Sequence, residues 1–233
     1  MFWAIRMSAV RTLVTFAQLL VLLVGYAGCS AACFAAEASD WFHCRGPQYN
    51  GTSPEKGLAS VWPDEGPPVL WTKDIGTGYS GIAAMGDQVY TLTQTAYGQY
   101  VLCLDYNTGK EIWRYRFDWP YNGSGMYPGP RATPTVTANH VFFAGPRGDV
   151  GCLRVSDGTL VWSMNVIEAF DGQGFDFGYA ASPLVIDGKV IVPAGGKGAS
   201  VVALSEVTGE LVWKSEDDEH ARYGGAIPIT SGA

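Results

Sequence analysis

Seven side chains in this chain have the types and placement to bind something: Tyr79, Ser80, Tyr127, Arg131, Tyr179, Ser182 and Tyr223. They flank the starts of short apolar runs. Aromatic rings with one guanidinium among them can stack on a flat ligand or orient an anionic one. The same tyrosines, as large amphipathic rings, also suit paving a rim with their hydroxyls on backbone carbonyls.

Other residue sets point to no chemistry. His43, His140 and His220 share no spacing and read as lead-in or loop residues, so a catalytic or metal set is not expected. Beyond the N-terminal region the cysteines are Cys44, Cys103 and Cys152, an odd, scattered set that makes neither a disulfide framework nor a metal site. The run "EDDEH" (Glu216 to His220) reads as a solvated acidic loop. "DGQGFD" (Asp171 to Asp176) resembles a calcium turn but lacks the full ligand series. No catalytic residue and no metal ligand is assigned.

The elements that must position the seven residues announce themselves by repetition. "CLDYNTGKEIW", "CLRVSDGTLVW" and "ALSEVTGELVW" end on Trp113, Trp162 and Trp213, with Gly109, Gly158 and Gly209 at the seventh position of each. Cys103, Cys152 and Ala203 open the three segments; a place that takes Cys or Ala is a small buried core position. Upstream stand "VYTL", "VFFA" and "VIVP"; "TPTV" and "SPLV" precede the last two, and "IPIT", after Trp213, is of the same kind. Pro134 and Pro183 precede Val141 and Val190 by seven residues, the place that Ile82 holds before Val89. Counting Trp71 of "VLWTKDIG" as the first, the tryptophans are 42, 49 and 51 residues apart.

Each unit therefore holds four short β-type runs, A to D, separated by turns. Four-stranded antiparallel units at a period near 40–50 residues predict an all-β fold, a β-propeller with about three complete blades here and partial ones at either side. The glycine of each C–D turn suits a left-handed backbone, and each tryptophan should pack against the neighbouring blade. Prolines at strand A agree with an inner edge. The A–B and C–D turns are short, whereas in the D–A segments proline follows tryptophan at an offset of 21 residues twice over. Rigid scaffolds carry binding residues on such loops. The D–A and B–C loop face and the adjoining channel are where a ligand or partner is expected.

The "AL…TG…W" pattern resembles the PQQ-like repeat, found in eight-bladed quinoprotein dehydrogenases and BamB-type envelope proteins. The stretch "W…CRGPQYNGTSPEKGL" (Trp41 to Leu58) is similar to the lead-in of secreted bacterial propellers of this kind. The resemblance runs from Trp41 to the C-terminus. It implies tryptophans that dock adjacent blades, and either of two functions. One is a non-catalytic envelope scaffold that binds a protein or ligand on the D–A/B–C face. The alternative is a quinoprotein-like dehydrogenase using PQQ and calcium, with catalytic residues beyond residue 233. Members of that kind commonly carry an adjacent cysteine pair, and none appears here. No cofactor is expected on the first reading. A propeller that binds carbohydrate or another small ligand through its tyrosine rim is a third.

Arg6 and Arg11, the apolar run Leu13 to Gly28 and the small residues after it read as a signal peptide over residues 1–38, with cleavage after Ala38 or Ala35. The run is short for a membrane span of about 20 residues. "YAGC", ending at Cys29, resembles a lipoprotein box with tyrosine in place of the usual leucine. Residues 39–70 form a lead-in and 71–233 the partial propeller. The protein is expected to be exported, periplasmic or extracellular, and membrane-associated only if lipidated at Cys29. The formal charge of −7 becomes −8 once Arg6, Arg11 and Glu37 are removed, a poor match for nucleic acid. A fifth unit opens at "RYGGAIPITSGA" without its next strand, so a fragment of a longer closed ring is expected.

Overall fold

The computed structural model describes residues 40–123, 125–173, 176–221 and 223–229. The signal peptide and the Cys29 lipoprotein box lie outside them. Twelve strands form three four-stranded antiparallel sheets in strict chain order, the blades of a β-propeller. The first blade holds β1 (Ala83–Met85), β2 (Gln88–Thr95), β3 (Gly98–Asp105) and β4 (Glu111–Asp118). The second holds β5 (Thr135–Val136), β6 (His140–Ala144), β7 (Asp149–Arg154) and β8 (Leu160–Asn165). A single helical turn, α1 (Val166–Ala169), follows it, capped by the Asn165 side chain. The third blade holds β9 (Leu184–Ile186), β10 (Lys189–Gly196), β11 (Ala199–Ser205) and β12 (Leu211–Lys214).

Middle strands are buried on both sides because each blade is sandwiched, which is why runs such as "VFFA" are continuously apolar rather than alternating. Within every blade the same pairing recurs. Cys103, Cys152 and Ala203 lie directly opposite Trp113, Trp162 and Trp213. A side chain larger than Cys or Ala would compete with the indole for that space. All three are fully buried; burial pushes the Cys103 and Cys152 thiols up to about 12. A β-bulge follows at the same step of each pairing. It leaves Ile112, Val161 and Val212 as the unpaired residue, which accounts for apolar side chains that face solvent.

The blades are joined by one interlock used three times. Trp71 lies over Gly109, Trp113 over Gly158 and Trp162 over Gly209; a Cβ on any of these glycines would sit 2.5–2.6 Å from the indole. Each indole Nε1–H donates to a carbonyl of the same turn, at Tyr106 (2.8 Å), Val155 (2.8 Å) and Glu206 (3.0 Å). The glycines have φ of +65°, +70° and +74°, the left-handed region expected of them. They are thus required twice, for the turn and for the approach of the ring. Burying such a ring contributes roughly 2–3 kcal/mol and its hydrogen bond about 1 kcal/mol. Trp213 remains 41% exposed, facing no such turn among the described residues.

Three expectations need correcting. Trp71 docks as the other tryptophans do, but residues 69–72 form no strand; the interlock works without a sheet beneath it. The A strands are only two or three residues long, and Pro134 and Pro183 stand outside them. One histidine placed among the loops, His140, instead opens β6, and its Nδ1 lies 3.6 Å from Glu206 Oε1 across the second blade seam.

The lead-in is packed against all three inner strands. Trp41 exchanges two backbone hydrogen bonds with Ala84 of β1, each 2.9 Å. Phe42 accepts from Val136 of β5, and the Tyr49 hydroxyl donates to the Val185 carbonyl of β9. Asp40 caps the first A–B turn by accepting from the Gly86 N–H. His43 sits in the middle of this knot, buried, with Nδ1 accepting from the Arg45 N–H.

Gly158 and Gly188 share φ of +70°, but an added Cβ meets Trp113 at the first and open space at the second. Gly188→Ala should lose about 1–2 kcal/mol from backbone strain alone, and Gly158→Ala about 2–4 kcal/mol, since ring overlap adds to it. Urea unfolding of the two variants checks this; equal losses would contradict the interlock. Burial, with Arg45 beside it, pulls the His43 imidazole down to about 4 from its usual 6.5. Because the folded value is depressed, the neutral ring's stabilisation is complete above pH 6.5 and is lost as pH falls towards 4, on the order of 3 kcal/mol. The stability difference between wild type and His43→Gln should change over that window, and a pH-independent difference would contradict it.

Candidate functional site

The first D–A loop is long, and buried amides hold it down. The Gln94 side chain takes both backbone groups of Tyr121, accepting from its N–H at 2.6 Å and donating to its carbonyl at 3.2 Å. Gln99 Nε2 donates to Asp118 (3.2 Å) and to the Trp119 carbonyl (2.9 Å). Arg147, reaching over from the second blade's B–C turn, pairs with Asp118 and donates to the Trp119 and Pro120 carbonyls. These bonds fix the start of the loop, and the Tyr79 N–H bond to the Pro130 carbonyl (2.8 Å) fixes its end.

The seven expected residues divide into two groups. Ser80, Tyr179 and Ser182 belong to the blade seams. Ser80 Oγ donates to the Ala132 carbonyl (2.8 Å) and accepts from the Leu92 N–H. Ser182 Oγ accepts from the Thr133 N–H at 2.9 Å. Tyr179 is fully buried and donates its hydroxyl to the Pro193 carbonyl at 3.0 Å; burial raises its phenol far above the ordinary value. Their polar atoms stitch neighbouring segments together and do not line the cleft.

Tyr79, Tyr127 and Arg131 do come together, in an open cleft of about 380 Å³ that Phe177 completes. Ring centroids are 5.9 Å apart from Tyr79 to Tyr127, 5.7 Å from Tyr127 to Phe177 and 6.2 Å from Phe177 to Tyr223. The row thus takes one ring from each successive inter-blade segment, in chain order. All four are between 42% and 55% exposed. Neighbouring rings are steeply tilted, by 72°, 72° and 49°, so they form notches rather than one flat platform.

Arg131 is aimed by the backbone: Nη1 donates to the Gly129 carbonyl (2.5 Å) and Nη2 to that of Tyr127. Its guanidinium carbon stands 5.0 Å from the centre of the Tyr121 ring and 5.9 Å from that of Tyr79. Partial burial lowers its pKa from the usual value, opposed by the phenols of Tyr121, Tyr79 and Tyr223; it stays a cation throughout the physiological range. Arg147 lies against the same Tyr121 ring at 5.3 Å. The cleft thus offers apolar ring faces and one guanidinium.

Phe177 escaped the sequence reading. The four rings stand three, seven, six and five residues before Ile82, Pro134, Pro183 and Pro228, so no fixed offset marks them. Among the described residues no group of three or more His, Cys, Asp or Glu is arranged to hold a metal ion. Nor is any helix among them long and apolar enough to cross a membrane.

Comparison with known proteins gives this geometry a family. A quinoprotein alcohol dehydrogenase, PedH of Pseudomonas putida, is 27% identical over 117 residues, covering 48% of this chain and 19% of its own length. The chain therefore spans about a fifth of that curated relative. Among solved structures, a europium-containing methanol dehydrogenase aligns at TM-score 0.48 and 21% identity, over 63% of this chain and 26% of its own. BamB of Moraxella catarrhalis aligns at TM-score 0.41 and 18% identity, over 64% and 54%. The family described as outer membrane protein assembly factor BamB matches residues 57–144 and 123–230, most of the chain. The protein is a member of this PQQ-like repeat family.

Proposed function

We propose that this protein is a non-catalytic propeller of the cell envelope that holds a protein or ligand on its D–A/B–C loop face. The observation that carries the reading is the exposed row of rings with Arg131 beside Tyr79, drawn from four successive segments, of which the first D–A loop is held by buried amides. Export, on the strength of the N-terminal signal, and the family's description as an assembly factor for outer-membrane proteins agree with it.

A second reading has one observation in its favour, the 27% identity to a quinoprotein alcohol dehydrogenase. The cleft residues do not fit PQQ with calcium. The lining of Tyr79, Tyr127, Arg131 and Phe177 includes no carboxylate to ligate calcium or serve as a base, and tilted rings give a flat quinone no surface to stack on.

The test has two arms. The purified mature protein is titrated with PQQ and calcium, followed by absorbance and by alcohol-dependent dye reduction; the expected result is neither saturable binding nor reduction. In producing cells, a photo-reactive residue placed at Tyr127 is compared with one at Val207, an exposed position on the opposite C–D turn face. Adducts concentrated at position 127 are expected. Dye reduction, or adducts only at 207, would overturn the proposal.

A further inference from the structure

The ring row also says what shape of partner it takes. Its steps of 5.9, 5.7 and 6.2 Å are close to the two-residue repeat of an extended chain, about 6.4–6.8 Å, in which alternate side chains face the same way. Steeply tilted neighbours leave a wedge between each pair of rings, the shape that takes a compact apolar ring such as proline's. Such a chain has no internal hydrogen bonds, so its carbonyls remain available to the hydroxyls of Tyr79 and Tyr127.

Charge selects the partner further. Arg147 on the same face is paired with Asp118, but Arg131 is ion-paired with no carboxylate among the described residues. Two carbonyls hold its guanidinium in place, and an arginine has five N–H donors, so donors remain for an anion. In a chain of net charge −7, a cation positioned without a counter-ion beside exposed aromatics favours an acidic group at that end of the row.

We propose that the D–A face binds an extended, proline-bearing peptide segment with an acidic residue, its prolines in the notches of the row and its carboxylate on Arg131. This rests on the binding-face reading above and narrows it to one class of partner.

The probes are a fluorescent peptide of alternating proline and small residues ending in glutamate, the same peptide ending in glutamine, a glycine–serine peptide of equal length, and an oligogalacturonate. Anisotropy with the mature protein should show binding of both proline peptides, tighter for the acidic one, and none of the glycine–serine control. Tyr127→Ala and Phe177→Ala, each checked for an unchanged thermal melt, should weaken binding about tenfold or more. Arg131→Gln should bring the two proline peptides to similar affinity. Binding of oligogalacturonate alone, lost in Tyr127→Ala, would overturn the peptide assignment and leave the binding face intact. No binding of any probe, with adducts still forming at position 127, would do the same. No binding and no adducts would remove both.

Discussion

Everything in this molecule hangs on an indole seated over a glycine turn. A blade is a sandwich filling with two apolar faces, and it is stable only when each face is covered. The tryptophan of one unit supplies that cover to the next, and its N–H satisfies a turn carbonyl that the ring would otherwise hide from water. Both requirements converge on one small residue, because a side chain at Gly109, Gly158 or Gly209 would displace the ring and strain the turn. Repeating the contact unchanged gives successive blades the same relation to one another. The Cys or Ala opposite each tryptophan belongs to the same device, seen from inside the blade.

A regular scaffold lets irregular loops be informative. The interlocks lie at the C–D turns, while the ring row lies at the other end of the blades, on the D–A segments. Buried amides of Gln94 and Gln99 tie the first of those loops to the sheet and so hold Tyr127 and Arg131 in place. Hydroxyls that could have served a ligand, those of Ser80, Tyr179 and Ser182, are instead used in the seams between segments. What remains exposed in the cleft is a row of rings and the Arg131 guanidinium, which is ion-paired with no carboxylate among the described residues. The lead-in adds a brace on the inner strands, touching β1, β5 and β9 in turn.

Much of this was legible in the chain because repetition exposes whatever every unit needs. The docking tryptophans, the left-handed glycines and the small core position opposite the indole could be read from fixed offsets. Features belonging to one unit only could not. Trp71 has the docking tryptophan's context without a strand, because the interlock needs only the ring and the N–H. Tyr179 looks like Tyr127 in sequence, yet it folds inward onto the Pro193 carbonyl while Phe177, two residues earlier, takes the exposed place. Loops of equal length need not expose equivalent residues, and only coordinates decide between neighbours. The lead-in's reach over three blades was equally silent, since its contacts are backbone bonds and one tyrosine hydroxyl.

The central claim, that indole-covered turns hold the blades as one unit, can be tested by hydrogen exchange at three amides. The N–H groups of Gly109, Gly158 and Gly209 bond to the carbonyls of Asp105, Arg154 and Ser205, each 2.9 Å away, beneath Trp71, Trp113 and Trp162. If the interlocks are the keystone, these turn amides exchange only through large cooperative opening, with protection close to that of the central strands. Rapid exchange at all three, at the rate of exposed loops, would mean the tryptophans merely rest on the turns and the blades are held by something else.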